Sequence, residues 1–361
     1  MQINKPYQYL FRRLTESNTE TKNITQFFGS SSGLGVGYGG GKWIAVGNGP
    51  NGSIGYSQDG ITWKSATDFF VAGAGYSVAY GGGKWVAVGQ AYQGSGISTV
   101  AYSLDGITWV PSGDFFKGGR GQCVSYSKET GRWIIVGMGE NGTVGYSDDG
   151  INWVSSNNFF GQGEGYGIAY GGGKWVAVGG GENGNICYSS DNGQTFIVSD
   201  VFFQADRGYG VAYSEDEQKW IAVGTNGLGT RSIAFSENAV NWNPLPNFFA
   251  GGIGKAVSYG NGKWVVTGFG QNGTIGYSID GGNTWTSTMT SYFDYGQGGE
   301  DVAYSPFLKN WIAVGGGGIY PDSVTIGYSN DGTNFSNQIS VYGQTIDPRY
   351  LYLLPLFKDK V

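Results

Sequence analysis

The stretch GYSVAYGGGKWVAVGQ, Gly75–Gln90, contains two short runs of β-branched and aromatic residues joined by three glycines. Its Trp85 belongs to a set of seven tryptophans, each preceded by Lys, Arg or Asn and followed by Val or Ile: Trp43, Trp85, Trp133, Trp175, Trp220, Trp264 and Trp311. They recur every 42 to 48 residues. A period in the forties whose unit holds several short strands is typical of a radial or stacked repeat architecture.

One unit, residues 75–116, indicates the content of each repeat. It begins with YSVAY, turns through GGG, continues as KWVAVG, resumes after a loop as STVAYS, turns at LDG and ends with ITW before a Phe-Phe pair. Short β-branched and aromatic runs bounded by Gly, Asp or Asn are typical of antiparallel strands joined by hairpins. We therefore expect four antiparallel strands in each unit.

The first strand of each unit aligns without gaps in all seven copies. Five residues before its Tyr there is always a glycine: Gly33, Gly75, Gly121, Gly165, Gly208, Gly254 and Gly299. An invariant glycine within a strand indicates either positive φ or close approach of a neighbouring chain. Val or Ile stands two residues before the Tyr, and a small residue stands one before it. One sheet face is thus bulky and the other small, which suits interlocking twisted sheets.

Seven such units are expected to pack around an axis as an all-β, seven-bladed β-propeller of four-stranded antiparallel blades. The alternative is an open solenoid. A solenoid would leave sheet edges exposed, whereas a closed ring removes them. The predicted propeller covers residues 29–340, between an N-terminal tail, 1–28, and a C-terminal tail, 341–361. Its blades are predicted at residues 29–70, 71–116, 117–160, 161–203, 204–249, 250–293 and 294–340. Either the outer strand of the last unit or a strand from residues 21–28 closes the ring.

Composition limits the function classes. The chain has a formal net charge of −6, and its repeats are more acidic than its tails, so no nucleic-acid partner is expected. No apolar segment is long enough to insert into a membrane, and the first residues lack the apolar core of a signal peptide. We therefore expect a location on a virion surface or in the cytoplasm. The absence of His excludes Ser-His-Asp and Cys-His catalysis and imidazole metal sites.

A second motif repeats between the third and fourth strands. It reads YSQDGITW, YSLDGITW, YSDDGINW, YSSDNGQTF, FSENAVNW, YSIDGGNTW and YSNDGTNF, beginning at residues 56, 102, 146, 188, 235, 277 and 328. These segments resemble the Asp-box, or BNR repeat, S-x-D-x-G-x-T-W, of sialidases and many other β-propellers. Only the copies at 188 and 277 have the full length, and the copy at 235 lacks both Asp and Gly. The resemblance implies a structural turn role for Asp59, Asp105, Asp149, Asp191, Asp280 and Asp331.

The resemblance also defines what a sialidase would require: three arginines that bind a carboxylate, a Tyr nucleophile beside a Glu, and an Asp acid/base. Of seven arginines, only Arg120, Arg207 and Arg231 are candidates for that set. We therefore predict no catalytic residues, metal site or cofactor. The alternative is a glycoside hydrolase of the sialidase-like Asp-box group, because two carboxylates distant in sequence can meet in space.

Candidate binding residues flank the invariant glycine, where the copies differ in charge and size around the expected channel mouth. The predicted site consists of Arg120, Glu164, Tyr166, Arg207, Tyr209, Lys255, Glu300 and Asp301. The alternative interpretation is that these residues are solvated or pair with one another as salt bridges.

The loops between the second and third strands read GPNGS, GENGT, GENGN and GQNGT at Gly49, Gly139, Gly181 and Gly270. We interpret Asn-Gly as a type I′ hairpin turn, with a set of shallow sugar sites as the alternative. The tails contain the apolar segments PYQYLFRRL and YLYLLPLF, which indicate contact with the ring or with an assembly partner. Together these features predict a non-catalytic recognition or structural propeller that binds a glycan or protein surface, as a component of a larger assembly such as a phage or virus particle.

Overall fold

The computed structural model describes residues 18–23, 27–29, 31–71, 73–90, 98–199, 202–203, 206–289, 293, 298–316, 325–336 and 338–343. They fall into two compact units. The smaller is an antiparallel sheet of β1 (Asn18–Asn23) and the last strand, β29 (Gln338–Gly343). The predicted tail segments 6–14 and 350–357 lie outside the described residues. The described part of the chain includes no helix that could span a membrane.

The larger unit, within residues 24–337, contains seven consecutive antiparallel sheets. Blade 1 consists of β2 (Ser32–Gly39), β3 (Lys42–Asn48), β4 (Ile54–Ser57) and β5 (Lys64–Ser65). Blade 2 consists of β6 (Ala74–Gly81), β7 (Lys84–Gln90), β8 (Val100–Ser103) and β9 (Val110–Pro111). Blade 3 consists of β10 (Arg120–Ser127), β11 (Arg132–Met138), β12 (Val144–Ser147) and β13 (Val154–Ser155).

The remaining blades repeat this order. Blade 4 consists of β14 (Glu164–Gly171), β15 (Lys174–Gly180), β16 (Ile186–Ser189) and β17 (Ile197–Val198). Blade 5 consists of β18 (Arg207–Ser214), β19 (Lys219–Thr225), β20 (Ile233–Ser236) and β21 (Asn243–Pro244). Blade 6 consists of β22 (Ile253–Gly260), β23 (Lys263–Phe269), β24 (Ile275–Ser278) and β25 (Thr286–Met289). Blade 7 has β26 (Gly299–Ser305), β27 (Asn310–Gly315) and β28 (Ile326–Ser329), and Ser336 bridges Tyr328 at the fourth-strand position.

The repeated tryptophan forms the core of every blade. All seven are fully buried on the second strand, and each lies opposite the Tyr of the first strand, as Tyr38 lies opposite Trp43. The paired rings are 4.7 to 5.1 Å apart, within the range of favourable aromatic contacts. The Trp–Tyr pair therefore fixes the register of the two inner strands in every copy.

The invariant glycine lets neighbouring blades approach closely. None of the seven has positive φ. A Cβ at Gly121 would lie 2.6 Å from the Cβ of Val88 in the preceding blade, and one at Gly165 would lie 2.8 Å from that of Val136. Close approach, one of the two expected reasons for this glycine, is therefore the reason observed.

The same contact closes the ring. A Cβ at Gly33 in blade 1 would lie 2.9 Å from the Cβ of Val314 in blade 7, and Ser32 forms an antiparallel bridge with Gly316. The outer position of blade 7 is occupied by Ser336, from the last unit itself. The predicted all-β, seven-bladed β-propeller is confirmed.

The turns between third and fourth strands are organised by the repeated Asp. Asp59 Oδ1 accepts hydrogen bonds from Ser57 Oγ and from the amides of Ile61 and Thr62 at 2.8 to 2.9 Å. Equivalent bonds to Ser and to the turn amides surround Asp105, Asp149, Asp191, Asp280 and Asp331. In blade 5, Asn238 Oδ1 accepts the corresponding amides of Val240 and Asn241. The turn thus forms even in the copy that lacks Asp.

The Asn-Gly loops differ from the prediction. A type I′ turn needs positive φ at both central residues, but only the glycines have it, as Gly52 does with φ 116°. The type I′ prediction is wrong because the Asn is held by a specific side-chain bond. Its Nδ2 donates to the carbonyl of a Phe in the preceding Phe-Phe pair, at 2.7 to 2.9 Å in four copies: Asn51 to Phe27, Asn141 to Phe115, Asn183 to Phe159 and Asn272 to Phe248.

Candidate functional site

Each innermost strand contains a β-bulge directly after the invariant glycine. In blade 4, Gly165 pairs with Gly179 and Gly167 pairs with Val178, so Tyr166 has no partner residue. The same register shift occurs in the other six blades. We call the seven residues at this position the bulge ring: Leu34, Tyr76, Gln122, Tyr166, Tyr209, Lys255 and Glu300. A bulge re-aims a side chain away from the regular sheet, so the variable position is freed from packing within the blade.

Arg120 and Glu164, from blades 3 and 4, form a two-pronged ion pair. Arg120 Nε lies 2.7 Å from Glu164 Oε1, and its Nη2 lies 2.9 Å from Oε2. Gln122 Nε2 donates a third hydrogen bond to Oε1 at 2.7 Å. Burial alone would raise the pKa of Glu164, but the bonds from Arg120 and Gln122 outweigh it and the pKa lies below its usual value. Glu164 is therefore an ionised, fully engaged carboxylate.

Arg207 lies beside this pair and against a tyrosine. Its Nη1 donates to the Tyr166 hydroxyl at 2.8 Å, and its guanidinium lies 5.6 Å from the centre of the Tyr166 ring. The side chain of Arg207 is 47% exposed, and its Nε lies 3.3 Å from Asp206 Oδ1. Burial, with the negative charge of Glu164, raises the pKa of Tyr166 to about 12. The Tyr166 hydroxyl is therefore protonated at neutral pH.

The contacts continue through blades 5, 6 and 7. The rings of Tyr166 and Tyr209 are 5.0 Å apart, and Lys255 Nζ lies 4.9 Å from the centre of the Tyr209 ring. Lys255 Nζ also lies 3.3 Å from Glu300 Oε2. Burial raises the pKa of Glu300, and the charge of Lys255 opposes that change. Four of the bulge-ring residues thus form one chain of aromatic and charged contacts, at the end of the ring that we call the mouth.

Asp301 has a different position and role. It follows the bulge, where its Oδ2 accepts the Val36 amide at 2.9 Å and its Oδ1 accepts the Val302 amide at 2.8 Å. Val36 belongs to blade 1, so this carboxyl joins the last blade to the first. Burial raises the pKa of Asp301 to about 7, although both amide bonds act in the opposite direction.

A cleft of about 720 Å³ lies over blade 4. It brings together four of the eight predicted residues, Arg120, Glu164, Tyr166 and Arg207. The cleft is completed by Glu182, Asn183 and Asn185, from the Asn-Gly loop given as an alternative sugar site, and by residues that the sequence did not single out, including Met138, Gln162 and Asp206. Tyr209, Lys255, Glu300 and Asp301 are not part of its lining. Among the described residues there is no cluster of three or more Cys, Asp or Glu side chains that could hold a metal ion.

The missed residues lie in different segments next to the predicted positions. Met138 ends the second strand of blade 3, Gln162 lies two residues before the first strand of blade 4, and Asp206 directly precedes the first strand of blade 5. Gln122, which bonds to Glu164, occupies the same repeat position as Tyr166. That equivalence could have identified Gln122 as a site residue from the sequence. The mouth is therefore lined by the strand-joining loops opposite the Asp turns.

The fold defines a β-propeller, and solved structures of that class resemble it. No protein-family model matches the sequence, and no curated protein matches it. The structure "YCF48 bound to D1 peptide" is 16% identical, with 84% of this chain and 94% of that chain covered and a TM-score of 0.58. Virginiamycin B lyase from Staphylococcus aureus is 12% identical, with 82% and 95% covered and a TM-score of 0.58.

A larger protein contains a similar body. The GH74 xyloglucanase from Xanthomonas campestris is 13% identical, with 88% of this chain covered and a TM-score of 0.60, but this chain spans only 54% of its length. At these identities the likeness shows the fold alone. The neighbours include a peptide complex, a lyase and a hydrolase, so one scaffold supports different functions.

Proposed function

We propose that this protein is a non-catalytic recognition propeller that binds an extended protein segment at its channel mouth. The observation that carries the proposal is Arg207: a half-exposed guanidinium, oriented by Tyr166, that lines the cleft over blade 4. An arginine held in this way presents planar donors to a carboxylate. The segment bound there would place an Asp, a Glu or a C-terminal carboxylate on Arg207.

The rest of the mouth suits a protein segment. Tyr166 and Tyr209 offer adjacent aromatic rings, and Tyr is enriched in protein interfaces. Lys255, Glu300 and Asp206 supply charges of both signs beside them. This mixture fits a chain that carries apolar, acidic and basic groups better than a uniformly hydroxylated glycan. The YCF48 structure with a bound peptide supports the same ligand class on a similar fold.

Binding is favoured over catalysis because the carboxylates are already engaged. Glu164 accepts three hydrogen bonds, Glu300 pairs with Lys255, and both oxygens of Asp301 accept backbone amides. A general acid or base must be free to exchange a proton with substrate. Glu164 in particular, with its lowered pKa, is a weak base.

A glycoside hydrolase of the sialidase-like group is the second candidate, and one observation favours it. Tyr166 lies between Glu164 and Arg207, as a tyrosine nucleophile with its neighbouring base and an arginine would. The ion pair with Arg120 opposes this assignment, because Glu164 is occupied and Tyr166 has a raised pKa. Arg231, the third candidate arginine, packs over Phe202 instead, at 5.8 Å from the ring centre.

The proposal extends to the setting of the protein. We infer that the repeated turns are Asp-boxes that serve folding, and that the ring is a surface component of a larger assembly, such as a phage or virus particle, joined through residues of its tails. A pull-down that compares the full chain with a chain lacking residues 1–17 and 344–361 tests the assembly role. Identical captured partners with both chains would contradict it.

The mouth is tested with an array of peptides that carry carboxylates at their C-terminus or side chains, beside a glycan array and a sialoside turnover assay. We expect peptide binding that weakens at least tenfold in Arg207→Ala and in the amidated peptide. The matched control is Arg231→Ala, which removes another ring-stacked arginine of blade 5 that does not line the cleft. Turnover that disappears in Tyr166→Phe would establish the hydrolase instead.

A further inference from the structure

A second cleft, of about 430 Å³, lies on the outer rim between blades 2 and 3. Trp153 lines it together with Asp114, Asn141, Asn152 and Ser155. The volume falls in the range in which proteins hold small ligands, roughly 300–1,000 Å³. None of the mouth residues takes part in it.

The cleft exists because one repeat position lacks a side chain. The second residue before the Phe-Phe pair is Thr67 in blade 1, Asn157 in blade 3 and Gly113 in blade 2. Asn157 covers the aromatic residue of the next blade, with Nδ2 donating to the Phe196 carbonyl at 2.8 Å and Oδ1 accepting its amide at 2.7 Å. Gly113 has φ +59°, and a Cβ there would meet nothing closer than 3.9 Å. The space that Asn157 fills in blade 3 is therefore open in blade 2.

The open space exposes an indole. Among the equivalent tryptophans, Trp63, Trp109 and Trp242 are only 4 to 6% exposed, whereas Trp153 and Trp285 are partly exposed; of these two, only Trp153 lines this cleft. Its Nε1 donates to Ser112 Oγ at 2.9 Å, which fixes the ring at the floor of the cleft. A partly exposed, fixed aromatic face inside a cleft is a binding platform that its buried counterparts do not provide.

Polar groups surround this face with a defined chemistry. Asp114 Oδ1 accepts bonds from the Thr99 amide and hydroxyl, and Asp114 is one of the residues that line the cleft. Asn152, which also lines the cleft, donates from Nδ2 to Asp149 Oδ2 at 2.7 Å and keeps an amide oxygen that can accept hydrogen bonds. Among the residues that the structure describes, no Lys or Arg lines the cleft. The lining thus offers hydrogen-bond acceptors and an aromatic plane but no cation for an anionic group.

We propose that this cleft is a subsite for a neutral carbohydrate, in which the apolar face of a pyranose ring stacks on Trp153 and its hydroxyls donate to Asp114, Asn141 and Asn152. A polyhydroxylated ring matches the lining because it has both an apolar face and several donors. The site is separate from the channel mouth and does not rest on the function proposed there.

Residues at equivalent positions of blades 2 and 3 suggest substitutions that preserve the fold. Asp114→Asn reproduces Asn158, which makes the same bonds to Thr143, and Asn152→Thr reproduces Thr108 of blade 2. Gly113→Asn introduces the residue of blade 3, and Asn tolerates positive φ better than most residues. Trp109→Phe is the matched control for Trp153→Phe, because Trp109 is the buried counterpart.

The probe is a panel of methyl glycosides of glucose, galactose, mannose and N-acetylglucosamine with their neutral disaccharides, titrated on the full chain by saturation-transfer NMR. We expect at least one to bind, with affinity at least fivefold weaker in Asp114→Asn and Trp153→Phe and absent in Gly113→Asn. Trp109→Phe and Arg207→Ala should bind as wild type does.

Four results would overturn the proposal. The first three are no binding by any glycoside of the panel, unchanged binding in Gly113→Asn, and loss of binding in Arg207→Ala, which would move the site to the mouth. Binding of choline at Trp153 in place of the sugars would also overturn it, because a carboxylate beside an aromatic ring can hold a cation. Since Arg207→Ala tests the mouth alone, failure of one proposal is distinguishable from failure of the other.

Discussion

Replacing Gly33 by Ala tests whether the first and last blades lie against each other. The added Cβ would lie 2.9 Å from the Cβ of Val314 and 3.1 Å from two ring atoms of Phe28. Carbon atoms pack at roughly 3.5–4.0 Å, so the blades must separate locally or distort. Such overpacking costs about 1–3 kcal/mol. If the urea m-value is about 3 kcal/mol/M, a loss of 2 kcal/mol lowers the unfolding midpoint by about 0.7 M.

The control is Gly165→Ala, which creates the same conflict inside the ring, 2.8 Å from the Cβ of Val136. Both variants should unfold at lower urea than the wild type, by similar amounts, when followed by tryptophan fluorescence. If Gly33→Ala unfolds at the wild-type urea concentration while Gly165→Ala unfolds at a lower one, blades 1 and 7 do not touch. Wild-type midpoints for both would refute close approach as the reason for the invariant glycine.

Three further predictions concern side-chain bonds. Asp59→Ala should lower the free energy of unfolding by about 1 kcal/mol, whereas Asp59→Asn should cost less, because Asn238 makes the same turn bonds without the charge; urea titration of both variants checks this. Turn hydrogen bonds lower the pKa of Asp105 and Asp280 to about 2 from an ordinary value of 3.8, so the stability they add is present above pH 4 and lost as pH falls towards 2. Melting temperatures of the wild type and the Asp105→Asn, Asp280→Asn double variant should converge over that interval, and a constant difference would contradict it. Glu164→Gln should cost about 1–3 kcal/mol at pH 7, since it weakens the charge-assisted bonds from Arg120; equal midpoints by urea would exclude that role.

Seven repetitions made the fold predictable from sequence. A single glycine or Trp–Tyr pair would have had several explanations, but the same residues at the same spacing in every copy indicated one unit and its number. The pairing of Tyr38 with Trp43, which sets the register of the inner strands, was seen only in the structure. The bulge beside Gly33 did not follow, because a bulge depends on the residues of the partner strand.

The site was predictable only as a set of positions. Variation next to the invariant glycine identified Arg120 and Glu164, but they lie 44 residues apart, and their pairing requires two blades to be side by side. The Asn-Gly turns were misjudged because the bond from Asn51 to the Phe27 carbonyl is not local. The rim cleft was missed for a simpler reason: it depends on a side chain that Gly113 does not have.

The bulge ring separates what the scaffold must keep from what it can change. Because Tyr166 and its six counterparts have no partner residue in the ladder, substitutions there leave strand pairing untouched. With 20 residue types possible at each of the seven bulge positions, one backbone could present on the order of 10⁹ combinations of side chains. That number is comparable to the size of a display library. Selection can thus retarget the mouth one residue at a time without a loss of foldability, and randomising these seven codons is a direct route to binders built on this ring.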